Sequence, residues 1–391
     1  MISVNEALAH IEHNIQESAA IAAKLQDAYG CVLASDIHSP IHMPPFRQSA
    51  MDGYAMKLTD TNTYRVVGEV SAGASENIVL NNTEAVRIFT GGRVPDDATT
   101  VVMQEDTIKN ANQIEITKTP SVGANVRPLG EQLKMGSVAL KKGTVLNEAR
   151  LGFLAGLGIE EVNVFHRPTV HILITGNELK QAGQTLKEGE VYDSNSVTLR
   201  FAVQKEGITD ITVHHIPDTL EDTIQTISNS IKQADIVLIS GGISVGDYDF
   251  VESALEADNV NPHFYKVNQK PGKPLWFGTN KSTVVFALPG NPASSLTCFY
   301  VYVLPAIRLM MGKHPVHLKR KYARADTDIV NVFSKTLFLK AIVKDDIATP
   351  LTGQASSMLK SFALANALLI VPESTSRIRA GEELEYITLR E

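Results

Sequence analysis

Residues 235–249 read DIVLISGGISVGDYD, an apolar run that passes directly into a glycine-rich loop carrying two aspartates. A short apolar run bounded by glycines reads as a buried strand, and helical sequence from Phe250 makes the loop a strand-to-helix junction. The same alternation repeats outward. VHILIT (170–175) precedes a helical stretch at 194–206, ITVHHI (211–216) precedes one at 219–233, and VVFAL (284–288) precedes a helix beginning at Pro292. Such alternation predicts a parallel sheet covered by helices on both faces, with ligands at the strand C-termini.

The flanking segments differ in texture. Ser3 and Glu6 form a capping box before Val4, Leu8, Ile11 and Ile15 at helical spacing, and SAAIAAKLQDAYG (18–30) reads as a second helix ending at Gly30. From Pro40 to about residue 128, short β-rich runs at 64–67, 86–89, 101–104 and 113–117 predict a β domain inserted between helical pieces. Helical signal returns at 147–156, so 1–37 and 128–166 are expected to pack together. After Gly312, runs at 337–343, 368–371 and 384–389 around one helical segment at 359–366 predict a small C-terminal β domain.

A length of 391 residues suits about two to three domains. Hydrophobic residues at 43% and charged residues at 20%, with mean hydropathy −0.03, place the chain among folded globular proteins. The 36 basic and 43 acidic side chains give a net charge of −7 and a pI near 5.9, so no global field attracts nucleic acid or anionic lipid and any anion site must be built locally. Neither nucleic acid nor membrane is an expected partner. Only Cys31 and Cys298 occur, which suits a reducing compartment, and the cytoplasm is the expectation. MISVNEALAHIEHN lacks the features of a secretory signal. The most apolar stretch, CFYVYVLPAI (298–307), contains Pro305 and falls short of the roughly 20 residues that span a bilayer.

Several loops could carry chemistry. In SGGISVGDYD (240–249), Gly241, Gly242 and Gly246 would let N–H groups approach an anion beside Ser244, while Asp247 and Asp249 offer hard oxygens suited to Mg²⁺. The same loop read as structure alone is a tight turn with solvated aspartates. Lys266 and KPGKP (270–274) present ammonium groups on a stiff loop that suits an oxyanion, or form a basic surface turn. LPGNPASS (288–295) places Pro292 in a first helical turn, leaving the N–H groups of Ser294 and Ser295 free for an anion. TGNE (175–178) and YDSN (192–195) occupy comparable strand ends, so four loops converge on one rim. In the β insert, SAMDGYA (49–55), TGGRVP (90–95) and Glu105 form further polar loops, each alone more often a turn than a ligand site. The 11 histidines show no metal-ligand spacing, and neither a Walker A lysine nor a Gly-x-Ser-x-Gly elbow is present.

Taken in order, SAMDGYA, TGGRVP, VVMQE, TGNEL, YDSN, SGGISVGDYD, KPGKP and LPGNP resemble the molybdopterin molybdenumtransferase family, MoeA in bacteria and the gephyrin E domain in animals. The resemblance covers nearly the whole chain. It implies a multidomain α/β plus β fold: a helical linker domain (1–40 with 128–167), a β lasso domain (41–127), a central α/β molybdopterin-binding domain with a parallel-rich sheet (168–316) and a C-terminal β-barrel (317–391), paired as a homodimer. The implied reaction belongs to molybdenum cofactor biosynthesis: molybdate is inserted into adenylylated molybdopterin with Mg²⁺-dependent release of AMP, and a molybdopterin adenylyltransferase is an implied partner.

Carried over by motif, the resemblance assigns catalytic roles to Asp249, Asp218 and Glu178, with Asp249 and Asp218 as metal ligands, and to Asp52 and Glu105 on the lasso. It assigns substrate and molybdate contacts to Gly241, Gly242, Ser244, Gly246, Lys266, Lys270, Lys273, Asn291, Ser294, Lys340 and Ser356. Two positions depart from the family pattern. Gln132 replaces an aspartate, and Lys340 replaces an arginine, keeping charge without the bidentate fork. A non-catalytic molybdopterin-binding scaffold of the same fold is the competing reading. A plain adenylyltransferase would need neither the lasso nor the C-terminal domain.

Overall fold

The alternating segment forms a sheet in the spatial order Ile211–Ile216, Val170–Thr175, Ile236–Ser240, Thr283–Leu288, Trp276–Asn280, Asn261–Tyr265. The first four strands run parallel and the last two close one edge antiparallel. Ile236–Ser240 and Thr283–Leu288 are buried throughout, as strands covered on both faces must be. Helix Asn195–Gln204 and the run beginning at Pro292 pack on one face, against Val170, Ile172 and Leu238. Helices Leu220–Gln233 and Phe250–Ala257 pack on the other, against Leu173, Val237 and Ile239. The chain leaves Val170–Thr175 for one neighbour and then crosses to the other, so the strand order reverses between Thr175 and Ser240, which leaves a crevice at the strand C-termini. This computed structural model describes residues 1–73, 78–243 and 250–389. Ser244, Gly246, Asp247 and Asp249 lie outside the described residues.

Ser3 caps helix Val4–Asn14 through the capping box: its hydroxyl accepts from Glu6 N–H at 3.2 Å, and Glu6 accepts from Ser3 N–H at 2.7 Å. The buried side chains Val4, Ala7, Leu8 and Ile11 join the α/β core rather than segment 128–166. The alanine-rich stretch 18–30, expected as a helix, is a strand, Ala20–Lys24, followed by a single 3₁₀ turn. Ala20–Lys24 pairs antiparallel with Glu161–Phe165; these ladder bonds outweigh the marginal helicity of a short alanine run. A small core of Ala28, Leu33, Leu146, Leu154 and Val164 lies beside that pair.

The inserted β region is a sheet in the order Thr100–Met103, Gly53–Met56, Glu84–Ile88, Thr63–Val70, Gln113–Ile116, Thr107–Asn110. Gly53 has no substitute there, because a Cβ would stand 1.8 Å from the Val102 carbonyl oxygen. The C-terminal region closes into a barrel of five strands, Thr336–Lys344, Ile347–Pro350, Arg320–Ala325, Glu383–Thr388 and Ala367–Val371, the last pairing back on the first.

Pro305 does not break the apolar helix, contrary to its sequence reading. Helical structure continues from Pro292 to Met310, 19 residues that would be long and apolar enough to cross a bilayer, but the run is 78% buried inside the protein and forms part of the core. A π-helical turn at Phe299–Val303 precedes Pro305, the wide turn that relieves a proline ring of its clash with the carbonyl four residues back.

Candidate active site

A cleft of about 740 Å³ opens at the strand switch point, walled by Thr175, Gly176, Glu178, 192–195, Asp218, 240–243, 289–292 and, from the barrel, Ser357. Its glycines are fixed by contact. Gly241 (φ +95°) holds its backbone where a Cβ would meet Thr175 Oγ1 at 2.5 Å, and Gly242 (φ +63°) where one would meet Val251 Cγ2 at 2.9 Å. Both positions therefore exclude a side chain. The Gly241 N–H is spent on the Leu288 carbonyl at 3.2 Å. Beneath them, the Asn195 amide donates to Ser240 Oγ at 2.8 Å and to the Gly290 carbonyl at 2.7 Å, tying two cleft loops together, while its Oδ1 is buried with no partner among the described residues.

Glu178 and Asp218 share the rim. The Glu178 carboxylate folds over Gly176, where a Cβ would lie 2.7 Å from Oε2. Asp218 and Asn177 bond reciprocally, Asn177 N–H to Asp218 Oδ2 at 3.0 Å and Asp218 N–H to Asn177 Oδ1 at 3.3 Å. Asn291 lines the same cleft. Of the sequence-derived candidates, Glu178, Asp218, Gly241, Gly242 and Asn291 thus come together.

The lysine loop borders the cleft through Pro274. Lys270 and Lys273 are exposed, and the Lys270 ammonium rests 3.3 Å from the centroid of the Phe333 ring. Lys266, at φ +68°, lies over Tyr265 at 4.3 Å. Gly272 sits against the start of the next helix, its missing Cβ 3.5 Å from the Ser294 carbonyl.

Two expectations about anion contacts fail. The first turn of helix Pro292–Cys298 is not free: Ala293 N–H and Ser294 N–H donate to the Ser356 carbonyl at 2.9 and 3.2 Å, and Ser295 N–H donates to Asn291. Ser294 is itself 2% exposed. Lys340 is no rim cation either. It is 1% exposed, and its ammonium donates to the carbonyls of Gly353, Ala355 and Met358 at 3.0, 3.2 and 3.2 Å. Burial lowers its pKa from the usual lysine range. Its role in this geometry is to hold the 353–358 loop, and no donor is left for an outside oxyanion.

On the inserted sheet, Asp52 Oδ1 accepts from Thr90 N–H at 2.7 Å and Thr90 Oγ1 at 2.8 Å, and these bonds hold its carboxyl below the usual range. Arg87 lies between the rings of Tyr54 and Phe89, at 5.2 and 5.0 Å, and donates to the Gly53 carbonyl and to Gln104 Oε1. Gln104 in turn donates to Glu105 at 3.2 Å. Asp52 and Glu105 form no part of the cleft wall. Sequence reasoning gave no individual role to Thr175 and Asn195, which line the cleft, although each stood in a motif loop, Thr175 opening TGNE and Asn195 closing YDSN; Arg87 stood in none.

Family models match almost end to end: the MoeA N-terminal region (domain I and II) over residues 2–158, a probable molybdopterin binding domain over 171–309 and the MoeA C-terminal region (domain IV) over 322–389. The chain is 34% identical over 372 residues to a molybdopterin molybdenumtransferase of Haemophilus influenzae, covering 92% of this chain and 91% of that one. It belongs to the MoeA family of molybdopterin molybdenumtransferases. A second family member, molybdopterin molybdenumtransferase 2 of Mycobacterium tuberculosis, is 31% identical over 98% of this chain and 99% of its own. The crystal structure of the Pyrococcus horikoshii MoeA protein superposes with a TM-score of 0.88 at 29% identity, over 100% of both chains. The fold class read from the motifs, an α/β domain with added β domains and a terminal barrel, is therefore that of MoeA.

Proposed function

We propose that the chain carries out molybdenum insertion: adenylylated molybdopterin and molybdate give molybdenum cofactor, and AMP is released. The observation that carries this reading is the meeting, at one switch-point cleft, of the side-chain-excluding Gly241 and Gly242 with the carboxylates Glu178 and Asp218. A pyrophosphate requires close backbone approach together with a hard divalent cation.

The carboxylate oxygens of Asp218 and Glu178 at the cleft rim are hard donors that fit Mg²⁺, which when bound would neutralise the pyrophosphate and polarise its bonds; Asp249, a further ligand by the family resemblance, lies outside the described residues. Asn195 fixes the loops at Ser240 and Gly290 against which the ligand lies. Lys270 and Lys273 attract the molybdate dianion at the cleft border, each charge-assisted contact contributing about 1.5–3 kcal/mol. Asp52 and Glu105 of the lasso complete the site of the other subunit in a homodimer. The adenylylated substrate comes from a molybdopterin adenylyltransferase, and a composition with two cysteines supports a reducing compartment such as the cytoplasm.

Incubating the protein with adenylylated molybdopterin and Mg²⁺, then adding molybdate, tests this reading. AMP is expected to appear only after molybdate is added. A non-catalytic scaffold would bind the nucleotide and release none.

A further inference from the structure

Beneath the lysine loop lies a buried polar network that the insertion reaction does not itself explain. Gln269 is 0% exposed, and its amide nitrogen reaches the carbonyls of Pro271 and Gly272, each at 3.1 Å, and Cys298 Sγ at 3.5 Å. Its carbonyl oxygen accepts from the hydroxyl of Tyr302, itself fully buried in the core helix. Gly272 is pressed on the same spot, at φ +87°, where a Cβ would stand 2.6 Å from Cys298 Sγ and 2.8 Å from Gln269 Nε2.

A primary amide can be turned either way by about 180° at little intrinsic cost, so something must say which end faces the loop. The carbonyls of Pro271 and Gly272 can only accept, so the N–H end faces them, and the Tyr302 hydroxyl holds that orientation by donating to the oxygen left on the far side. A buried amide is costly unless its polar atoms are paired, and those of Gln269 are paired to consecutive loop carbonyls and to the Tyr302 hydroxyl, so what the side chain contributes is the hold on that loop.

We infer that Gln269 and Tyr302 are positioning residues that set the Lys270 and Lys273 ammonium groups for an oxyanion. Neither touches the ligand. They clamp the backbone at Pro271 and Gly272 from below, while the Phe333 ring holds the Lys270 ammonium from the side. The inference rests on the reading that these lysines receive molybdate.

Molybdate-dependence curves for AMP release test it, with Tyr302→Phe, Gln269→Met and, as reference, the double variant Lys270→Ala/Lys273→Ala. Tyr302→Phe removes only the orienting hydroxyl and should raise half-saturating molybdate severalfold. Gln269→Met should raise it about tenfold, in line with the sensitivity of bound geometry to small displacements. In both, the rate at saturating molybdate should stay near that of the unaltered protein. Molybdate should also shield Lys270 and Lys273 from an amine-acylating reagent less well in both variants, read by mass spectrometry. If Gln269→Met does not fold, Tyr302→Phe decides alone. Unaltered molybdate dependence in Tyr302→Phe and Gln269→Met, with a shift in the lysine double variant, would overturn the positioning role and leave the lysine reading intact. No shift in the lysine double variant would remove the reading and the inference together. A fall in saturating rate with unchanged half-saturation would show a structural role only and would also overturn it.

Discussion

The Ser356 carbonyl accepts the Ala293 N–H at 2.9 Å, which ties a loop of the C-terminal barrel to the helix that follows the last parallel strand. Ser294 N–H joins it at 3.2 Å, so a helix terminus that would otherwise present bare donors is already capped from within the protein. Lys340 holds that loop from the barrel side through three carbonyls, and Gln354 adds bonds to the Lys340 backbone at 3.0 and 2.8 Å. Barrel and cleft are thus mechanically continuous from Lys340 to Ala293.

Lys340→Met should therefore cost stability. It removes three hydrogen bonds from the 353–358 loop, whose carbonyls are left with only the Ser361 hydroxyl and the Met358 N–H as donors, and about 1.5–4.5 kcal/mol is expected from roughly 0.5–1.5 kcal/mol per bond, read by denaturant unfolding. Lys340→Arg should not tighten molybdate binding, because the side chain faces carbonyls in a closed site. Tighter binding by calorimetry in the arginine variant would contradict the structural role.

Gly242→Ala should abolish AMP binding at the cleft while costing about 1–3 kcal/mol of stability, the strain of a Cβ at positive φ against Val251. Equilibrium dialysis with AMP and thermal unfolding check the two halves separately. Undiminished AMP binding would place the nucleotide elsewhere.

Asn195→Leu removes the donor that joins Ser240 to Gly290. A loss of about 1–3 kcal/mol is expected, since the Gly290 carbonyl loses its partner. Weaker AMP binding should accompany it. A variant as stable as the unaltered protein would show that the two loops are held by other means.

Thr90→Val should move the Asp52 carboxyl upward. In the folded protein that pKa is depressed below the ordinary aspartate value, first by the Thr90 N–H and then by its hydroxyl. A depressed carboxyl contributes stability that is present above its unfolded pKa and lost as pH falls through the folded value. The stability difference between Thr90→Val and the unaltered protein should therefore exist at neutral pH and fade in acid as pH falls through the depressed Asp52 value. Carboxyl titration by NMR gives the shift directly, and an unmoved Asp52 would contradict it.

The parallel strands were legible because both their faces are buried, which turns each into an unbroken apolar run bounded by glycines, as at Ile236–Ser240. Ser3 and Glu6 likewise announced the opening helix. What stayed hidden depends on partners far along the chain. Nothing local marks Ala20–Lys24 as the mate of Glu161–Phe165, and nothing in a lysine reveals that three carbonyls from 353–358 surround it. The motif loops named Glu178 and Asn291 as rim residues because strand ends converge by topology, while Asp218 came only from the family resemblance. Arg87 escaped notice because one of the two rings beside it, Tyr54, comes from a neighbouring strand far away in sequence, which leaves no local pattern.

The most direct test of insertion is the amount of AMP released against the amount of molybdenum retained on molybdopterin, measured in one reaction of the full chain with adenylylated molybdopterin, Mg²⁺ and molybdate. Equal amounts are predicted, with both lost together in Asp218→Asn. AMP released without molybdenum retained, or no AMP released at all, would contradict it.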